Sequence, residues 1–135
     1  MLFRSESADS LLYLVTETVA TGRRHHITEK TFKPIALGMP FVIVGTKGSL
    51  KYLKSYGFKT FEEIWDESYD DASDDERIQK IADLLYNLNR LSIKEKQNLF
   101  NQAQSILQHN WDHFYKGGFE SILWTELTNM LESIE

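Results

Sequence analysis

An α/β fold is predicted from this sequence: a small, about three-stranded parallel sheet followed by a helical C-terminal half. Three observations predict it. Short apolar runs rich in strand formers recur at Ser10–Glu17, Phe41–Gly45 and Phe58–Phe61. The order strand–helix–strand–helix–strand, with short loops, is that of parallel strands joined by right-handed crossovers. Beyond Asp75, apolar residues recur at helical spacing.

Taken in order, "SLLYLVTE" (Ser10–Glu17) reads as a buried strand, and Gly22 breaks the loop after it. Thr28 is a good N-cap for a helix to about Leu37, which Gly38 and Pro40 end. Pro34 lies deep in that helix. It removes one backbone hydrogen bond, leaves the carbonyl near Lys30 without its partner, and is expected to kink the helix. "FVIVG" is too continuous to be half exposed. Ser49 can cap a short helix that stops at Gly57, and "FKTF" (Phe58–Phe61) looks like a third strand. In the helical half, Ser73 with Glu76 and Ser92 with Glu95 have capping-box spacing. Three apolar stripes follow: Ile78, Ile81, Leu85 and Leu88; Leu99, Ala103, Ile106 and Leu107; Phe119, Ile122, Leu123, Leu127 and Met130. Gly117 and Gly118 separate the last two helices. One domain spanning 1–135 is expected, with its strands within 10–70 and its helical part at 73–135.

Composition narrows the function classes. The 135 residues carry a net charge of −5 with Lys and Arg spread along the chain, unlike the basic stripe of a nucleic-acid binder. There is no cysteine, hence no disulfide framework and no thiolate metal site. No apolar run approaches the roughly 18 residues of a membrane span. "MLFRSESADS" carries no apolar signal-peptide stretch, so a cytoplasmic protein is expected.

The Thr28 helix start is the first candidate site. A helix start has free N–H groups and a partial positive charge, which suit an anion. Lys30 and Lys33 lie in its first two turns, and Arg23 and Arg24 precede it. The loop follows the first strand, so it belongs at the carboxyl edge of a parallel sheet, where ligands bind. The plainer reading is that Thr28 is only a cap and both lysines are solvated. "GTKGS", with Gly45, Gly48 and Ser49, repeats the arrangement after the next strand, and its glycines permit close backbone approach. It lacks the ending of a P-loop. The two helix starts are expected to share one pyrophosphate, unless the second is an ordinary turn. Asp66, Glu67 and Asp70 follow the third strand and fall on the ligand edge, with Asp66 and Asp70 expected at the pocket edge with Glu17 and His26; Trp65 and Tyr69 are expected to pack beside them. The acidic run Asp66–Glu76 lacks the spacing of a calcium loop, and no metal is expected there. His25 and His26 can meet a phosphate or move a proton. His109 and His113 have zinc-ligand spacing without an obvious third ligand, and read better as a half-buried structural pair beside Trp111 and Phe114.

"ITEKTFKPIALGMPFVIVG" (Ile27–Gly45) resembles the donor-binding motif of the α-1,3-fucosyltransferases, in which Thr-Glu-Lys opens a helix leading into a strand that ends near a glycine. More loosely it is similar to exostosin-like enzymes. The following "GTKGSLKYLKSYGFKTFEEIWDESYD" looks like uncharacterised phage and marine bacterial proteins carrying the same block. The likeness covers about Ser10 to Asp70. It implies a glycosyltransferase of GT-B type, whose C-terminal Rossmann-like domain binds a nucleotide sugar as substrate and needs no metal or other cofactor. By that likeness Lys30 contacts the donor phosphates, Glu29 the ribose or sugar, and Arg23 or Arg24 supplies a second cation. Glu17 stands where the family has an acidic residue. The chain's 135 residues leave no room for the acceptor-binding domain of such enzymes, so a truncated or reduced homologue is expected, with catalytic residues undefined.

Two other readings stay open. One is a non-catalytic structural or interaction protein that keeps the fold; a narrow sheet leaves an edge to cover, which makes a homodimer plausible. The other is a different enzyme acting on a phosphate ligand.

Overall fold

A parallel pair of strands forms the sheet in the computed structural model, which describes residues 12–18, 21–22, 25 and 27–134. Strand β1 (Tyr13–Thr16) runs beside β2 (Phe41–Val44), with Tyr13 opposite Phe41 and Thr16 opposite Val44. Helix α1 (Glu29–Leu37) is the crossover between them. Phe41, Val42 and Ile43 are all buried, as a strand packed on both faces requires. In β1 only Val15 is buried, and Leu14 and Thr16 face outward.

Helix α1 begins as its sequence suggests. The Thr28 hydroxyl accepts from the Lys30 N–H at 3.2 Å, and Gly38 closes the helix at φ 66°, a left-handed conformation that suits glycine. The helix runs on through Pro34. Helix α2 (Ser49–Ser55) starts differently from expectation. Gly48, at φ 80°, takes the cap position, and Ser49 is the first helical residue, its hydroxyl donating to the Thr46 carbonyl at 2.7 Å.

No third strand forms among the described residues. Phe58 and Phe61 are buried, which explains the apolar pattern, but their segment does not join the sheet. Its backbone is met by one side chain. The Asn110 amide accepts from the Lys59 N–H at 2.8 Å and donates to the Lys59 carbonyl at 2.9 Å, replacing a strand partner with a single buried amide.

The rest is helical: a 3-10 turn (Ser68–Asp71), α3 (Asp74–Asn89), α4 (Ile93–Tyr115) and α5 (Gly118–Glu132). Ser92 and Glu95 form the expected capping box at α4. Ser73 and Glu76 do not, because Ser73 makes no side-chain cap bond; Asp74 in the first turn binds Arg77 instead. In α3, Ile81 and Leu88 are buried but Ile78 is exposed; in α4, Ala103, Ile106 and Leu107 are buried. Helix α5 departs most from expectation, since no residue in it is buried. It is held at one end by Phe119, whose ring lies 5.1 Å from Phe32 and 5.2 Å from Phe58. Among the described residues no helix is long and apolar enough to cross a membrane.

Candidate functional site at the carboxyl edge of the sheet

Because β1 and β2 are parallel, the loops that follow both strands leave the same edge. His25 from the first loop stacks on Tyr52 of α2, ring centroids 5.1 Å apart, and a side-chain carbon at Gly48 would stand 3.1 Å from it. The starts of α1 and α2 are therefore neighbours, as the repeated strand–loop–helix order implies.

Each start already holds a carboxylate of this chain. At α1 it belongs to Glu17, one residue past β1, whose N–H prolongs the ladder to the Val44 carbonyl. Its oxygens accept from the Thr28 N–H at 3.1 Å, the Thr28 hydroxyl at 2.8 Å and the Thr31 hydroxyl at 2.6 Å. Burial pushes this carboxyl up, but the Thr31 and Thr28 hydrogen bonds outweigh it and hold it below its ordinary value. At α2 it is Asp70, which accepts from the Leu50 N–H at 2.9 Å and the Lys51 N–H at 3.1 Å. The amides expected to share a pyrophosphate are thus taken, at α2, by a buried side chain of the acidic stretch.

The other predicted site residues separate. Glu29 and Lys30 are exposed in the first turn of α1, with the Lys30 ammonium donating to the Thr18 hydroxyl at 3.3 Å. Lys33 leaves the edge and lies 5.8 Å from the Tyr13 ring centre, at the far end of β1. Gly45 is needed because a side-chain carbon there would stand 2.8 Å from the Ser49 hydroxyl. Its carbonyl accepts from Arg77 Nε at 2.9 Å. Arg77 is buried, and no sequence pattern singled it out. Arg23, Arg24 and His26 lie outside the described residues. His109 and His113 serve the scaffold: each Nε2 donates to a carbonyl after α2, of Gly57 at 2.9 Å and of Tyr56 at 2.6 Å.

A cleft of about 400 Å³ lies beside α2, lined by Lys51, Lys54, Asp66, Glu67 and Asp71 among others. Asp66 is exposed and accepts from the Ser68 N–H and hydroxyl, which lower its pKa. Trp65 and Tyr69 are buried in the core. Glu67 is the unusual member: burial pushes its carboxyl up to about 7. Both its oxygens are enclosed without a hydrogen-bond partner, as are the Thr60 and Tyr69 hydroxyls. Its position after Phe58–Phe61 marks Glu67 together with Asp66 and Asp70, and the sequence pattern gives no sign of its enclosure. Among the described residues no three potential metal ligands come together.

No family model, curated protein or solved structure matches this chain.

Proposed function

We propose that this chain is the nucleotide-sugar-binding part of a glycosyltransferase of GT-B type, and that the donor phosphates meet it at the α1 start alone. One observation carries the reading. Glu17 clamps Thr28 and Thr31, fixing the first turn so that Glu29 and Lys30 of the Thr-Glu-Lys block are left exposed beside the carboxyl edge. Lys30 keeps donor capacity beyond its long contact with Thr18, so its ammonium can turn to a phosphate. Glu29 is free to accept from ribose or sugar hydroxyls. The α2 amides contribute nothing while Asp70 holds them.

Calorimetric titration with GDP, UDP and pyrophosphate tests this. Binding is expected to be weak, because the surface is open, and to weaken further with salt. Lys30→Ala should cost about ten- to hundredfold in affinity, as loss of a charge-assisted hydrogen bond does. Lys94→Ala, on α4, should change nothing. Absence of binding at millimolar concentration, or unchanged binding by Lys30→Ala, overturns the reading. A second reading, a non-catalytic interaction protein on the same fold, is favoured by the internal carboxylates at both helix starts. It is the reading that remains if no anion binds.

A further inference from the structure

Helix α5 has two unlike faces. Phe119 packs into the aromatic cluster, Ile122 lies against Gly57, and Glu126 accepts from the Tyr56 hydroxyl at 3.1 Å. The opposite face presents Trp124 (60% exposed), Leu127 (39%) and Leu131 (56%), flanked by Leu123 and Met130, and Ile134 (76%) follows in the turn just past the helix end. Trp124, Leu127 and Leu131 are spaced three then four, the seam spacing of paired helices. We propose that this face is covered by α5 of a second copy of the chain, packed antiparallel about a two-fold axis near Leu127. The inference does not depend on the donor-binding reading.

Area and charge select that occupant. The exposed parts of the six side chains amount to roughly 600 Å² per copy, about 1,200 Å² for a pair, which reaches the lower bound of a stable interface. That is as large as the largest apolar patches of ordinary monomers. Residues 118–134 carry Glu120, Glu126 and Glu132 and no Lys or Arg. Glu126 is turned inward, and helical spacing puts Glu132 well away from the seam. Glu120 is left as the seam's one charge, at its N-terminal end. A parallel pair would set Glu120 against Glu120. An antiparallel pair carries the two about 20 Å apart, beyond the screening length, with Trp124 of one copy facing Leu131 of the other. An acidic helix without cations is not drawn to an anionic bilayer, and a seam without flanking charges offers nothing to select a charged partner.

Sedimentation of the full chain between about 1 and 200 µM tests the pairing. The mass is expected to rise from 15.8 kDa towards twice that value. Trp124→Glu and Leu127→Glu should each weaken association at least a hundredfold with unchanged helical content, since neither side chain is part of the core. Leu14→Glu, on the outward face of β1, should leave association intact. Cysteines introduced one at a time report orientation, because the chain has none of its own. On oxidation Leu127→Cys should cross-link to itself and Glu120→Cys should not. A chain that stays monomeric throughout, association lost in Leu14→Glu but kept in Trp124→Glu, or cross-linking by both cysteines would each overturn the proposal.

Discussion

Replacing Glu67 by glutamine should make the protein more stable at neutral and alkaline pH. Burial pushes this carboxyl from its ordinary 4.5 to about 7, and the Thr60 hydroxyl and Phe61 N–H, which pull it back, do not reach hydrogen-bonding geometry. The folded protein therefore holds a proton that the unfolded chain releases above pH 4.5. The sign follows: the group's contribution is fully present below about 4.5 and is lost as pH rises through about 7. That gap corresponds to roughly 3 kcal/mol. Glutamine has the same size and cannot ionise. Glu67→Gln should thus exceed the parent by roughly 2–3 kcal/mol at pH 8 and match it within about 0.5 kcal/mol at pH 4. Urea denaturation from pH 4 to 8, fitted for midpoint and slope, measures the difference. A difference that does not change with pH, or a glutamine variant less stable at pH 8, would show that Glu67 is satisfied as an anion and refute the reasoning.

Glu17→Gln should act in the opposite sense. It removes a carboxylate accepting three hydrogen bonds, at a cost of about 2 kcal/mol at pH 7. Because folding lowers the Glu17 pKa, its contribution is present above 4.5 and lost as pH falls through the folded value, so parent and variant should converge in acid. Melting curves at pH 7 and pH 3 check this, and a gap of equal size at both would count against it. Asn110→Ala should cost about 1–3 kcal/mol, because it strands the Lys59 N–H and carbonyl. A change under about 0.5 kcal/mol in chemical denaturation would mean that water replaces the amide.

What was legible in the sequence is what neighbours along the chain decide. Thr28 as cap, Gly38 as stop, the Ser92–Glu95 box and the buried run of β2 all rest on residues a few positions apart. Glu17 carries no local mark, since the hydroxyls it binds lie 11 and 14 positions along the chain. The third strand failed for the converse reason. Phe58 and Phe61 are as buried as strand residues should be, but the group that completes the Lys59 backbone comes from a residue 51 positions away. Asp70 is likewise 20 residues from the amide it caps, and one acid in a run of acids carries no mark of that duty. Helix α5 has the apolar spacing of a core helix and none of its burial. Periodicity reports that a face is apolar, and says nothing of which molecule supplies the cover.

The two internal carboxylates do different work, and the difference decides where a ligand can sit. Asp70 binds the α2 amides themselves. A phosphate at that helix start would have to break both bonds and leave a carboxylate that is only 8% exposed without partners. Stranding such a charge costs several kcal/mol, more than the 1.5–3 kcal/mol that a new charge-assisted contact returns. Glu17 instead binds the threonine hydroxyls and the N–H of the cap residue, which precedes the helix. It holds the cap in place without covering Glu29 or Lys30, so an incoming anion at α1 need not displace it. On the proposed donor-binding reading, stability and binding fall to different side chains at α1. Glu17→Gln is therefore expected to act first on melting, and Lys30→Ala, at an exposed position, to leave the fold little changed while it tests the proposed anion affinity.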